Sequence, residues 1–386
     1  MDRFLLKNPY FKLQLLMVTV PELKRQISIN RVAQLRLTIA GFLGLFIHGN
    51  IVALPGAFLP QWTAEFGNNF GIAFFYNLLL FGSLLGITLT RKRRQRHPLL
   101  ALSFLAIGIA LLIAAASPNF NGVLVTTALI GWGDGILNLQ CNSLVGELHP
   151  QRRVALLNWA NATFGLGAVS TPLLATFLSW RIICLLVALL SLVSVALAWQ
   201  APAVQGLRPK LDKMPWRRAS IFLLLIMFYT GLESSLGTWS GTYLIYLGQD
   251  VTYSSKLLSL YWGGLTLGRM LLAGWVGKQP TKALSLLLGC SLGTLGLVIF
   301  PPLAPLLPLV AFFYGPLFAT LFALLQEKCG HVALGYLFYA AYIGKSLIPV
   351  AFIWLKSPAY LPYGFILLAL ILYLLSLQLN RSPQTR

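Results

Sequence analysis

Five ionisable residues interrupt otherwise apolar stretches of the chain: His48, Asp134, Glu233, Arg269 and Lys345. A charge at the centre of a bilayer costs about 2.5–3.5 kcal/mol on insertion scales, so residues of this kind are paired, wet or functional. Glu233 reads either as a carboxylate that loads and releases a proton or as a structural hydrogen-bonding group. Lys345 reads either as an anchor for an anionic or hydroxylated ligand or as a neutralising partner for Asp134 or Glu233. Asp134 lies between Gly133 and Gly135, where helices can approach closely. His48 carries the side chain whose charge changes nearest to neutral pH; a satisfied neutral imidazole is the alternative. Arg269 falls toward one end of its stretch rather than at the centre.

Amides and aromatic rings accompany these charges. Asn138 and Asn142 are four apart and share a helical face, as do Asn158 and Asn161, three apart; Asn50 follows His48 closely. An amide facing lipid would be unsatisfied, so these faces turn to a partner helix or to an interior space. Trp132, Trp159, Trp239 and Trp262 are too deep for an interfacial belt. They are packing residues or ring faces beside the amides. Ring and amide together suit a polyhydroxylated ligand, with C–H surface on the ring and hydroxyls on the amides.

The elements that must hold these residues follow from composition. Of 386 residues, 57% are hydrophobic and only 10% charged, against about a quarter charged in soluble domains. Twelve apolar runs approach the ~20 residues a membrane helix needs: 36–60, 69–90, 98–116, 121–146, 154–178, 181–200, 219–246, 255–277, 282–301, 304–326, 332–355 and 361–379. With the amino terminus inside, all but five of the 29 Lys and Arg fall on the cytoplasmic side. The exceptions are Arg181, Lys256, Arg269, Lys345 and Lys356, and this bias supports both the orientation and an even span number. The net charge of +20 therefore reads as orientation rather than as a nucleic-acid surface. Trp62, Trp180, Trp199, Trp216, Trp275 and Trp354 fall near span ends and are expected as interfacial anchors. Residues 1–34 read as a cytoplasmic tail without a cleavage site, 35–200 as one six-helix bundle, 201–218 as a cytoplasmic linker, 219–379 as a second bundle and 380–386 as a cytoplasmic tail. The four cysteines show neither zinc spacing nor a disulfide framework.

The two bundles echo each other. Gly167 and Pro172 in span five match Gly344 and Pro349 in span eleven at equal spacing. Phe81-Gly82-Ser83 in span two matches Leu267-Gly268-Arg269 in span eight, and His48-Gly49-Asn50 in span one matches Thr230-Gly231-Leu232 in span seven. Parallel six-span repeats put a ligand site at the midplane between the halves.

Three stretches carry a resemblance. They are Gly131–Gly135 through Asn142 with Leu156–Asn161 and Phe164–Ala168; Phe228–Glu233 with Trp239; and Tyr261–Gly264 with Gly268-Arg269. Over about residues 40–355 the chain resembles the major facilitator superfamily, and within it the branch of fucose permease and related glucose or galactose proton symporters. The resemblance implies an all-α membrane protein of twelve helices in two bundles. It also implies a secondary transporter of a small polar, sugar-like solute, coupled to a proton or cation, and Arg269 as a gate or fold residue. Two features depart from that branch. The loop Arg91–Arg96 holds no acid, and span one holds none either, with Asn138 where the acid of span four would align. Export of amphipathic compounds is the rival within transport. A membrane transferase would need clustered acids, which are lacking, and there is no Walker loop. No enzyme activity, cofactor, metal or nucleic-acid partner is expected. The expected partners are the substrate and the bilayer, around a monomer in the plasma membrane with both termini cytoplasmic.

Overall fold

A computed structural model describes residues 30–67, 70–93, 95–204, 215–329 and 331–381. The tail before Asn30, most of the linker and the last five residues lie outside the described ones. Among the described residues all regular structure is helical: α1 (Arg31–Phe66), α2 (Phe70–Lys92), α3 (Leu99–Ala116), α4 (Phe120–Leu148), α5 (Arg153–Leu174), α6 (Trp180–Ala198), α7 (Trp216–Tyr246), α8 (Val251–Val276), α9 (Pro280–Val298), α10 (Leu307–Tyr314), α11 (Leu317–Cys329), α12 (His331–Ala351) and α13 (Leu361–Arg381). Backbone groups have no water to bond inside a bilayer, so the helix is the form these apolar runs must take.

The helix starts carry their capping signals. Asn30, Asn119, Ser179 and Asp250 each accept a hydrogen bond from a backbone N–H of the first turn they precede. Ser179 is what separates α5 from α6 in so short a connection. Span ten, expected as one run over 304–326, is interrupted. It begins as a 3-10 turn at Pro301–Leu306, continues as α10, and breaks at Gly315-Pro316 before α11. Pro316 has no N–H to donate and its ring opposes the preceding turn. Among the described residues ten elements are apolar enough, by length and composition, to cross a membrane; α5 and α8 are not among them. Those two carry Asn158, Asn161, Lys256 and Arg269, and they pack against each other across the middle of the molecule.

The repeat is realised in packing. In the first bundle α1 packs on α5, α2 on α4 and α3 on α6; in the second α7 packs on α12, α8 on α10 and α9 on α13. Gly167 lets α5 close on the Phe46 carbonyl of α1, and Gly344 lets α12 close on the Met227 carbonyl of α7. Gly82 and Gly268 do the same for α2 against α4 and α8 against α10. A side chain at these positions would collide with backbone, which is why glycine recurs there. The bundles meet through α1 with α7, α2 with α12, and α5 with α8.

Two of the expected interfacial tryptophans prove to be core. Trp62 and Trp180 are buried in a cluster with Phe58, Phe66, Phe75 and Phe120. Their place near span ends is correct, but they point between helices, where Trp180 Nε1 donates to Glu65 Oε2 at 2.9 Å. Trp199, Trp216, Trp275 and Trp354 are exposed, as anchors are.

Candidate functional site

The middles of α1, α4, α5, α7 and α12 converge where the bundles meet. His48 is midway along α1, Asp134 midway along α4 and Tyr342 midway along α12. His48 Nδ1 lies 2.6 Å from Asp134 Oδ1, and the Tyr342 hydroxyl donates to Asp134 Oδ2 at 3.1 Å. Asp134 has no exposed surface. A buried carboxylate is tolerable only when its lone pairs are taken. Here one partner comes from its own bundle and the other from the opposite one. Asn138 Nδ2, one turn along α4, reaches the same hydroxyl at 3.4 Å. With Asp134 ionised, the short contact places a proton on His48 Nδ1, leaving Nε2 as the position for a second one.

A second charged pair lies in the other bundle. Arg269 Nη2 is 3.9 Å from Glu233 Oε1, with both side chains largely covered. Arg269 Nε donates at 3.1 Å to the Gly315 carbonyl, a group freed by the break between α10 and α11. Tyr261 donates to the Glu233 carbonyl at 3.1 Å, and the Tyr229 hydroxyl donates to the Tyr314 carbonyl at 3.3 Å. Phe164 of α5 joins the two pairs. Its ring centroid is 5.2 Å from that of His48, and the Arg269 guanidinium carbon stands 5.2 Å from the same centroid.

Lys345 is one turn beyond Tyr342, its Nζ 5.2 Å from the Tyr342 ring centroid. Among the described residues no carboxylate oxygen lies within 4.0 Å of that ammonium. Asp134 and Glu233 act on it through space only. The pairings expected for it are thus replaced: Asp134 pairs with His48, Glu233 with Arg269, and Lys345 rests on an aromatic face.

The remaining candidates divide. Asn50 is turned away, donating to the Phe46 carbonyl at 2.9 Å and accepting from Thr171 at 2.8 Å, which fastens α1 to α5. Asn142 donates back to Asn138. Asn161 bonds the Leu157 carbonyl and is exposed; the Asn158 side chain lies outside the described ones. Trp239 is buried with Nε1 donating to the Pro349 carbonyl at 3.0 Å, a brace between α7 and α12. Trp262 is buried against Gly237 with its Nε1 unpartnered. Trp159 is largely exposed, so it is no ring face for the interior. The sequence reading overlooked Tyr342 and Phe164. Their signal was available: Tyr342 is three residues before Lys345 and therefore on its face.

The halves also touch at both ends of the cluster. Toward the end with the basic loops, Thr88 of α2 bonds Tyr339 of α12 at 2.8 Å. Toward the other end, Tyr76 bonds Thr238, and Gly56 of α1 abuts Gly237 of α7. The two charged pairs and Lys345 thus form a polar cluster between two seams.

No curated protein matches the sequence. Among solved structures, the xylose transporter XylE from E. coli aligns with a TM-score of 0.72 at 13% identity, covering 92% of this chain and 99% of its own. The nucleoside transporter NupG aligns at 0.69 and 14%, covering 92% and 99%. The human organic anion transporter MFSD10 aligns at 0.68 and 15%, covering 89% and 99%. At such identities these likenesses speak for the fold. The family description Major Facilitator Superfamily matches residues 41–349, most of the chain and every residue of the cluster. With two repeated bundles around a midplane polar site, the chain belongs to the Major Facilitator Superfamily of transporters.

Proposed function

We propose that this protein moves a small polar, sugar-like solute by alternating access, coupled to a proton taken up at His48–Asp134. The observation that carries this reading is the Asp134 carboxylate, shared between an imidazole of one bundle and a hydroxyl of the other. A coupling site must change charge and must feel the motion of the halves. His48 supplies the titratable nitrogen, and Tyr342 leaves Asp134 whenever α12 moves away from α4. Glu233 has an arginine partner inside its own bundle, which suits a brace or gate better than a proton carrier, and Arg269 shares that role. The solute is taken to lie beside Asn138, Asn142, Lys345 and Tyr342, where amides, an ammonium and a ring face adjoin. The expected setting is a monomer in the plasma membrane with cytoplasmic termini. Efflux of amphipathic compounds is the second reading, and it would want a wide apolar chamber in place of these charges.

The test is a thermal-shift screen of the purified chain against sugars, polyols, hydroxy acids and amphipathic drugs. A ligand at about 100 times its Kd adds about 2.7 kcal/mol of stability. Stabilisation by polar solutes, lost in Asn138→Ala, is expected. Stabilisation by drugs alone would turn the assignment to efflux.

A further inference from the structure

From the charge balance of the cluster we infer that the solute is a hydroxylated monoanion, such as a sugar acid, carried with one proton in an electroneutral cycle. This rests on the coupling role of His48–Asp134 and names the substrate class for it. The charged groups of the cluster are Asp134, Glu233, Lys345 and Arg269, with the His48 imidazole beside Asp134. Glu233 and Arg269 cancel as a pair. Asp134 and Lys345 cancel in sum, although no carboxylate touches the ammonium among the described residues. Tyr342 stays neutral at physiological pH. Of the other charges on α1 and the helices packed against it, Arg217, Arg218 and Lys256 are exposed, and others are engaged at the ends of the bundle. Glu65 pairs with Arg181 at 2.6 Å, Glu147 pairs with Arg96 at 2.7 Å, and Arg36 donates to the Ala196 and Trp199 carbonyls.

With neutral His48 the charges of the cluster therefore sum to zero. One proton on His48 Nε2 makes it positive, and one carboxylate beside Lys345 restores zero. The proton alone or the anion alone leaves an unbalanced charge in a water-poor interior, which is the costly state. Only the empty and the doubly loaded carrier can then occlude cheaply, and that condition is what enforces coupling. Lys345 is the natural carboxylate anchor because its ammonium has donors to spare and only a ring beneath it. Asn138 and Asn142, on the facing helix, are placed for the hydroxyls.

The test uses the full chain in proteoliposomes with D-gluconate, D-glucuronate and D-glycerate as probes, and D-glucose and glycerol as neutral matches. An inward gradient of one pH unit should accumulate at least one acid about tenfold. Clamping the membrane at ~100 mV of either sign should leave that unchanged, whereas a carrier moving one net charge would shift it by about 50-fold. Lys345→Gln should lose thermal stabilisation by that acid; should the variant not fold, the voltage measurement on the unaltered chain decides alone. Voltage-dependent accumulation overturns the inference, as does recognition of none of the three acids or binding of a neutral sugar that survives Lys345→Gln. A neutral sugar found that way leaves the polar-solute reading standing, while stabilisation by amphipathic drugs alone removes both.

Discussion

At the scale of single residues, the proposed coupling turns on Asp134. It accepts from His48 and Tyr342 with no exposed surface, so changing it alters both partners at once. Asp134→Asn keeps the shape but cannot hold the imidazolium. Accumulation driven by a gradient of one pH unit should fall from about tenfold to none, while exchange of solute at equal pH persists. Glu233→Gln should keep the fold, because Arg269 retains the Gly315 carbonyl and the Phe164 ring, but the guanidinium left uncancelled should lower accumulation as well. Uptake against a gradient in Asp134→Asn would remove this residue from coupling. The five ionisable residues of the central cluster were legible in the sequence, since a charge in an apolar run stands out. Their partners were not. Periodicity tells which face a residue shares within its helix, and it cannot tell which neighbour that face meets, so Lys345 was assigned carboxylates that His48 and Arg269 in fact hold.

At the scale of elements, small residues and one buried arginine set the geometry. Gly167 and Gly344 occupy equivalent places, each against a carbonyl of the partner helix. Gly167→Val and Gly344→Val should each force the helices apart and cost about 1–3 kcal/mol or more, read as lowered Tm and yield. Gly293→Ala, which faces open space, should be neutral or slightly stabilising. Arg96 is fully buried, its guanidinium bonding both Glu147 oxygens, Gln140, Ser143 and the Pro202 carbonyl. It ties the loop after α2 to α4 and to the start of the linker. Arg96→Ala should cost about 1.5–3 kcal/mol or more, the worth of a charge-assisted hydrogen bond such as those this guanidinium makes to Glu147. Arg96→Lys should not restore the loss, because an ammonium cannot reproduce the fork. In the sequence Arg96 is one of five basic residues in a loop and reads as orientation charge alone. Span boundaries and the six-plus-six repeat were legible because hydropathy and glycine spacing are local. The break at Gly315-Pro316 was not anticipated in the run 304–326, although a proline there removes a helix N–H, and its use in freeing a carbonyl for Arg269 needed the third dimension.

At the scale of the molecule, two bundles related by a repeat meet through contacts on either side of a buried polar cluster. Thr88 with Tyr339 closes the seam toward the basic loops, and Tyr76 with Thr238 closes the other. A carrier that exposes its chamber alternately must open one of these seams at a time, so neither contact can be permanent. Cysteines at Thr88 and Tyr339, or at Tyr76 and Thr238, should therefore be crosslinkable, and either crosslink should abolish transport until reduced. The background for this is Cys290→Ser, because Cys290 is exposed whereas Cys141, Cys184 and Cys329 are buried. Cysteines at Glu65 and Arg181, which face each other within one bundle, serve as the control, and bridging them should leave transport in place. Crosslinking should also separate the two faces of the cycle. With the seam near the basic loops locked, reagent should reach a cysteine at Asn138 from the opposite side only; with the other seam locked, access should reverse. Full transport with either seam bridged would mean that the halves do not part there, and the polar cluster would then be a fixed core rather than one stage of a cycle.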